Sequence, residues 1–251
     1  MARPAILMIH GLVGSMDFFE PHKRIEQADV ITCDLPGYGH AVDAPASSLS
    51  LANGGRIVAE RIRELAPTRV IVLGFSMGGA VATLAIDQAP DCVAAFINVE
   101  GNLTMKDAFW SSSIAGMSAQ EWEASFSDMR SDLGGWLRRC NIEAMPQRIA
   151  WAQQVLAHQP ASTVYAMAHA IIRETQPESY LAAVRRISER GIPLHLVAGA
   201  KSADQWGIPD DVRHAARSID VLADVGHFMM LEAPDRFCQL IDRIAAEYGE
   251  D

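Results

Sequence analysis

A chain of 251 residues, 49% hydrophobic and 21% charged, can bury the core of one α/β unit and lies outside the composition of disordered or fibrous proteins. Its formal net charge of -10 at pH 7 argues against nucleic acid or an anionic membrane as a partner, because phosphate is drawn to clustered Lys and Arg. A small-molecule ligand fits that balance better. Cys33, Cys92, Cys140 and Cys238 are widely separated and show neither C-x-x-C nor His-paired spacing. They read as buried small hydrophobes of a reduced protein, with no disulfide and no metal expected. The opening Met1-Ala2-Arg3-Pro4 runs straight into an apolar stretch, leaving no room for a signal peptide, and no segment reaches the roughly 20 apolar residues of a membrane span. Cytoplasmic residence is the expectation.

Taken in chain order, short apolar runs bounded by turn residues predict strands at Ala5–Ile9, Asp29–Cys33, Arg69–Leu73, Ala94–Val99, Leu194–Ala198 and Ser218–Leu222. Runs that are apolar throughout suit a parallel sheet covered on both faces. Between them lie predicted crossover helices, notably Leu51–Leu65 and Gly78–Gln88, each followed by a proline. From about Leu103 to Arg190 no strand pattern occurs. Amphipathic stretches rich in Trp, Met and Ala take its place, such as Pro146–Ala157, where Ile149, Trp151, Ala152, Val155 and Leu156 share one face. The fold class read from this pattern is α/β, with a mostly parallel central sheet and an inserted helical cap. Residues 1–102 and 191–251 form the core and 103–190 the cap, within one folding unit.

Gly74-Phe75-Ser76-Met77-Gly78 matches G-x-S-x-G immediately after an apolar strand and before a helix that opens Gly79-Ala80. The chemistry requires those glycines, because the serine must sit on a strained turn where a Cβ on either neighbour would crowd the backbone. The turn lifts the hydroxyl from the sheet and aims the first amides of the helix at the reaction centre. Ser76 is therefore the candidate nucleophile. The loop His10-Gly11-Leu12-Val13-Gly14-Ser15 after the first strand can bring a second amide alongside, so the candidate oxyanion donors are the N–H groups of Leu12 and Met77. Among eight histidines, His227 is the best base, since it lies in a loop after the last strand and before the C-terminal helix. His22, His40, His158, His169, His195 and His214 read as structural or exposed, and His10 as an organiser of its loop.

His10-Gly11, Asp34-Leu35-Pro36-Gly37-Tyr38-Gly39, Gly74 to Gly78, and Gly226-His227 followed by Glu232 and Pro234 together resemble the α/β-hydrolase superfamily, over nearly the whole chain. The resemblance implies the α/β-hydrolase fold, a Ser-His-acid triad, and a rim-shaping role without chemistry for the Asp34 turn. It departs at the acid. Members usually carry an Asp a few residues beyond the penultimate strand, where this chain reads Gly199-Ala200-Lys201-Ser202-Ala203-Asp204-Gln205, with Ser202 at the expected position. Asp204, two residues later, is one candidate acid. The preferred one is Glu100, which ends the strand beyond the nucleophile's crossover and resembles the acid placement of the haloalkane-dehalogenase-like branch. A charge there is costly to bury without a partner, and an imidazolium would be one. Asp107 and Asp224 are more distant candidates.

The expected chemistry is acyl transfer on a small ester-type substrate, with no metal and no organic cofactor. Phe75 and Met229 are candidate pocket walls. The same triad would also serve a thioester, a lactone or the carbon–carbon bond of a diketone. Other classes are a slow-turnover ligand-binding member and a cofactor-independent lyase or oxygenase that uses His227 without an acyl-enzyme. Because Ser76 replaces the nucleophilic Asp of dehalogenases and epoxide hydrolases, those reactions are not expected.

Overall fold

The computed structural model describes residues 3–65 and 69–249. Met1 and Ala2, part of the N-terminal reading, lie outside the described residues. Six parallel strands form one sheet: β1 (Ala5–Ile9), β2 (Asp29–Cys33), β3 (Val70–Phe75), β4 (Val93–Val99), β5 (Leu194–Gly199) and β6 (Ser218–Leu222), in the order β2-β1-β3-β4-β5-β6. Each predicted strand is present. β3 runs two residues further than its apolar run suggests, because Gly74 and Phe75 still pair with Asn98 and Val99 before the chain turns.

The helices are α1 (Leu51–Leu65), α2 (Met77–Gln88), α3 (Phe109–Ala115), α4 (Ala119–Ser131), α5 (Leu133–Arg139), α6 (Pro146–Ala157), α7 (Ala161–Thr175), α8 (Glu178–Glu189), α9 (Asp210–Ala215), α10 (Met229–Glu232) and α11 (Pro234–Ala245). Helix α2 is buried almost all round, so it reads as apolar without a clear stripe, whereas α11 buries one face through Phe237, Cys238, Ile241 and Ile244. The segment predicted as a helical cap is helical, but α8 at its end lies against α2. There Arg186 makes a bidentate pair with Asp87 at 2.9 and 2.7 Å. Helix α8 thus packs on the helix that follows the serine motif. Within α6, Ala152, Val155 and Leu156 are buried as expected, while Ile149 and Trp151 are half-buried.

The cysteine reading needs a correction. Only Cys238 is buried; Cys33, Cys92 and Cys140 are half-buried, because they sit on the edge strand β2, in the turn before β4 and at the end of α5. Burial pushes the thiols of Cys33 and Cys140 up to about 11 and that of Cys238 to about 12. Among the described residues no helix is long and apolar enough to cross a membrane.

Strand order sets where a site can form. The chain leaves β1 toward β2 on one side, while β3 pairs with β1 on the other. The loops after β1 and β3 therefore part at the carboxyl edge, which is the crevice where open parallel sheets bind ligands.

Candidate active site

Ser76 follows β3 directly and caps α2 in a conformation that L-residues rarely adopt, φ 53° and ψ -121°. The turn is held by Ser76 N–H donating to Val99 O (3.0 Å) and by Gly79 N–H and Asn102 N–H donating to Ser76 O (2.9 and 3.2 Å). The flanking glycines follow from contact. A Cβ on Gly74 would lie 2.5 Å from Gly78 O, and one on Gly78 would collide with the carbonyl oxygens of Ile9 and His10. The motif's spacing is thus the spacing at which helix α2 can seat its first turn on the ends of β1 and β3.

The loop after β1 is rigid for a reason legible in part from its histidine. His10 Nε2 accepts the Leu35 N–H at 3.1 Å, so the proton sits on Nδ1, which donates to Gly11 O at 2.8 Å. Burial pushes His10 down to about 4, leaving the ring neutral at physiological pH. Tyr38 Oη donates to Leu12 O (3.0 Å), and Gly14 N–H donates to Gln159 Oε1 of the helical layer (2.9 Å). These bonds press Gly11 against the serine, where an added Cβ would come within 3.2 Å of Ser76 Cβ. Among the described residues, neither the Leu12 nor the Met77 amide finds a protein acceptor. Met77 follows the serine as the first residue of α2, its N–H beyond the reach of the helix's own carbonyls, and Leu12 follows Gly11, the residue set against Ser76.

The structure brings His227 and Glu100 together: Glu100 Oε2 is 2.7 Å from His227 Nδ1. With Nδ1–H donating to the carboxylate, Nε2 is left as the nitrogen with a free lone pair. Glu100 ends β4 with φ 41°, and its carboxyl is almost fully buried, 5% exposed, while the His227 side chain is 35% exposed. Burial raises the Glu100 pKa, but the hydrogen bond and charge of His227, the Ser202 hydroxyl and the Gly199 amide outweigh it. The carboxyl sits below the ordinary range. Its turn is fixed by Gly101 N–H donating to Asn98 Oδ1 (2.7 Å) and Trp206 Nε1–H donating to Gly101 O (2.9 Å). The His227 loop is pinned in its turn by Gly226 N–H on Glu232 Oε1 at 2.6 Å.

Asp204 is not at this cluster; it lies exposed in the short turn Ala203–Gln205, because the chain after β5 curls over Glu100 and carries Asp204 outward. Phe75 packs beside His227, ring centroids 4.9 Å apart. Met229, expected as a pocket wall, has no accessible surface: it begins α10 inside the core. Asp107 holds the start of the helical layer, accepting from Leu103, Thr104 and Gly207 amides at 3.0, 2.8 and 2.6 Å. Asp34 binds two imidazoles, His158 Nε2 at 2.7 Å and His40 Nδ1 at 2.9 Å. Sequence reasoning missed Asn98, Trp206 and Gln159, and it noted Ser202 only as standing at the expected acid position; the contacts of Trp206, Gln159 and Ser202 arise only once distant segments meet. Among the described residues no cluster of His, Cys, Asp and Glu is arranged to hold a metal.

The chain matches the alpha/beta hydrolase family over residues 6–240 and belongs to it. It is 37% identical over 87 residues to a pimeloyl-[acyl-carrier protein] methyl ester esterase of Yersinia pseudotuberculosis, a match covering 35% of this chain and 30% of that protein. A protein of the same name from Vibrio campbellii is 30% identical over 103 residues, covering 38% and 36%. The chain thus matches about a third of the length of these curated relatives. Its fold is similar to that of MenH from S. aureus (TM-score 0.74, 16% identity, 99% and 96% of the chains covered). It is also similar to an N-acyl homoserine lactonase complexed with N-hexanoyl homoserine (TM-score 0.71, 20% identity, 99% and 90% covered). An esterase of Thermogutta terrifontis gives a TM-score of 0.73 at 19% identity, with 98% and 91% covered.

Proposed function

We propose that the protein is a serine hydrolase acting on a small carboxylic ester. The observation that carries the reading is the 2.7 Å contact of Glu100 Oε2 with His227 Nδ1, which leaves Nε2 as a base in a ring packed on Phe75, the residue just before the strained serine. Ser76 Oγ attacks the carbonyl carbon as His227 Nε2 takes its proton. The imidazolium so formed is paired with Glu100, and the amides of Leu12 and Met77 receive the negative charge on the carbonyl oxygen. Collapse expels the alcohol, protonated by His227. Water then attacks the acyl-serine with His227 again as base, and the carboxylic acid leaves.

The methyl ester esterases among the relatives and the lactonase among the structural neighbours support an ester or cyclic ester as the bond to try first. The test is labelling of Ser76 by a fluorophosphonate together with turnover of p-nitrophenyl acetate and butyrate. A hydrolase is labelled, shows an acyl burst and turns over. Activity that persists in Ser76→Ala would instead mean that His227 works without an acyl-enzyme. A labelled serine without sustained turnover would mark a binding member of the family.

A further inference from the structure

After β5 the chain reads Gly199-Ala200-Lys201-Ser202, and Ser202 stands where the resemblance puts a carboxylate. The position still faces the same cluster. Ser202 Oγ lies 2.7 Å from Glu100 Oε1 and 3.3 Å from Gly199 O. A hydroxyl has one proton to donate, and the shorter contact, to a charged oxygen, is the stronger use of it. Glu100 Oε1 also accepts the Gly199 N–H at 2.7 Å, while Oε2 is given to His227. The two carboxylate oxygens are therefore divided between two tasks. One is held by the β5 loop and the other faces the imidazole.

A carboxylate held by one amide can still pivot about its last torsion, which is broad and weakly preferred. A second donor on the same oxygen, from a different direction, defines the plane. Ser202 is itself well placed for that duty, since its N–H donates to Gly199 O (3.0 Å) and its carbonyl accepts from Gln205 N–H (2.9 Å).

We infer that Ser202 is a positioning residue: its hydroxyl, reaching from the loop after the neighbouring strand, sets the plane of the Glu100 carboxylate so that Oε2 meets His227 Nδ1. It touches no reacting atom, and its effect passes wholly through Glu100. The inference rests on the Ser76, His227 and Glu100 reading above.

The experiment compares steady-state turnover of p-nitrophenyl butyrate by the wild type, Ser202→Ala, Ser202→Thr, Ser202→Cys, Glu100→Gln and the double variant Ser202→Ala/Glu100→Gln. Ser202→Ala lowers kcat about tenfold with KM unchanged, the size of one hydrogen bond to a charged group. Ser202→Thr keeps a hydroxyl and returns kcat to within about threefold of wild type, and Ser202→Cys, similar in shape but a weak donor, falls between. In the Glu100→Gln background the alanine costs less than about twofold, because the group it orients has ceased to serve. Equal cost in both backgrounds, or a wild-type kcat in Ser202→Ala, overturns the inference. Should the alanine variant fail to fold, a wild-type kcat in Ser202→Cys overturns it equally. A Glu100→Gln enzyme that keeps wild-type kcat would sink the triad reading itself, whereas a collapsed Glu100→Gln beside an unaffected Ser202→Ala removes the role of Ser202 alone.

Discussion

Two histidine clusters in this molecule are built from the same kinds of residue and sit at opposite ends of the sheet. At the carboxyl edge His227 meets Glu100 and, through it, Ser202. Toward the amino ends of β5 and β6, His195 Nδ1 lies 2.8 Å from Ser218 Oγ, Ser218 donates to Asp220 Oδ2 at 2.8 Å, and His195 Nε2 lies 2.7 Å from Tyr248 Oη. An inventory of Ser, His and carboxylate fits either. The difference is valence and access. His195 has both nitrogens occupied and no exposed surface, and burial lowers its pKa. His227 has one nitrogen committed to Glu100 and a third of its side chain open. A histidine whose two nitrogens are satisfied ties elements together; one with a nitrogen to spare can take a proton from something else.

The sharpest way to break this contrast is at the two serines. Ser76→Ala is expected to cut kcat for p-nitrophenyl butyrate by about 10⁴-fold or more, while Ser218→Ala leaves kcat within about twofold. Comparable losses from both would mean that the distal network takes part in the reaction. At the acids, Glu100→Gln lowers kcat by roughly 10² to 10⁴-fold with little change in KM, because the imidazole loses both its tautomer lock and its counter-charge. Asp204→Asn stays near wild type, and the reverse result would return the acid to the loop after β5.

Histidines buried as neutral rings place a pH dependence on the fold itself. For His10 the folded value of about 4 lies below its ordinary 6.5. Between those values the unfolded chain takes up a proton that the folded chain refuses, so stability is full above pH 6.5 and declines as the pH falls toward 4, by up to about 3 kcal/mol. Urea titrations at pH 7.5, 5.5 and 4.5 measure it, and His10→Asn should flatten the slope between pH 7 and 5; an unchanged slope would assign the proton uptake elsewhere. The smallest effect belongs to Tyr248→Phe, which removes one partner of His195. It costs about 1 kcal/mol, a fall of roughly 2–4 °C in Tm, with kcat untouched.

Where local pattern and contact coincide, the reading from sequence holds. The strands are runs of apolar residues, and the serine turn announces itself because Gly74 and Gly78 are demanded within five residues of each other by backbone that is close in the chain as well as in space. The carboxylate that meets His227 was legible only as a choice. Glu100 reaches His227 through a left-handed turn at the end of β4, and no periodicity encodes that φ. Ser202 and Trp206 act on a turn more than a hundred positions earlier, so their types give no hint of partners. Met229 and the half-buried cysteines erred for a related reason: hydrophobicity signals that a side chain prefers burial, and accessibility depends on which neighbouring element happens to cover it.

The ends of β4 and β5 lie side by side. Val99 pairs with Val197, and the Glu100 amide continues the ladder by donating to Val197 O at 3.0 Å. Two adjoining addresses on the sheet thus meet at one carboxylate, that of Glu100, whose other oxygen faces the imidazole. In this chain the second address carries a hydroxyl, and it is spent on the carboxylate at the first, at 2.7 Å.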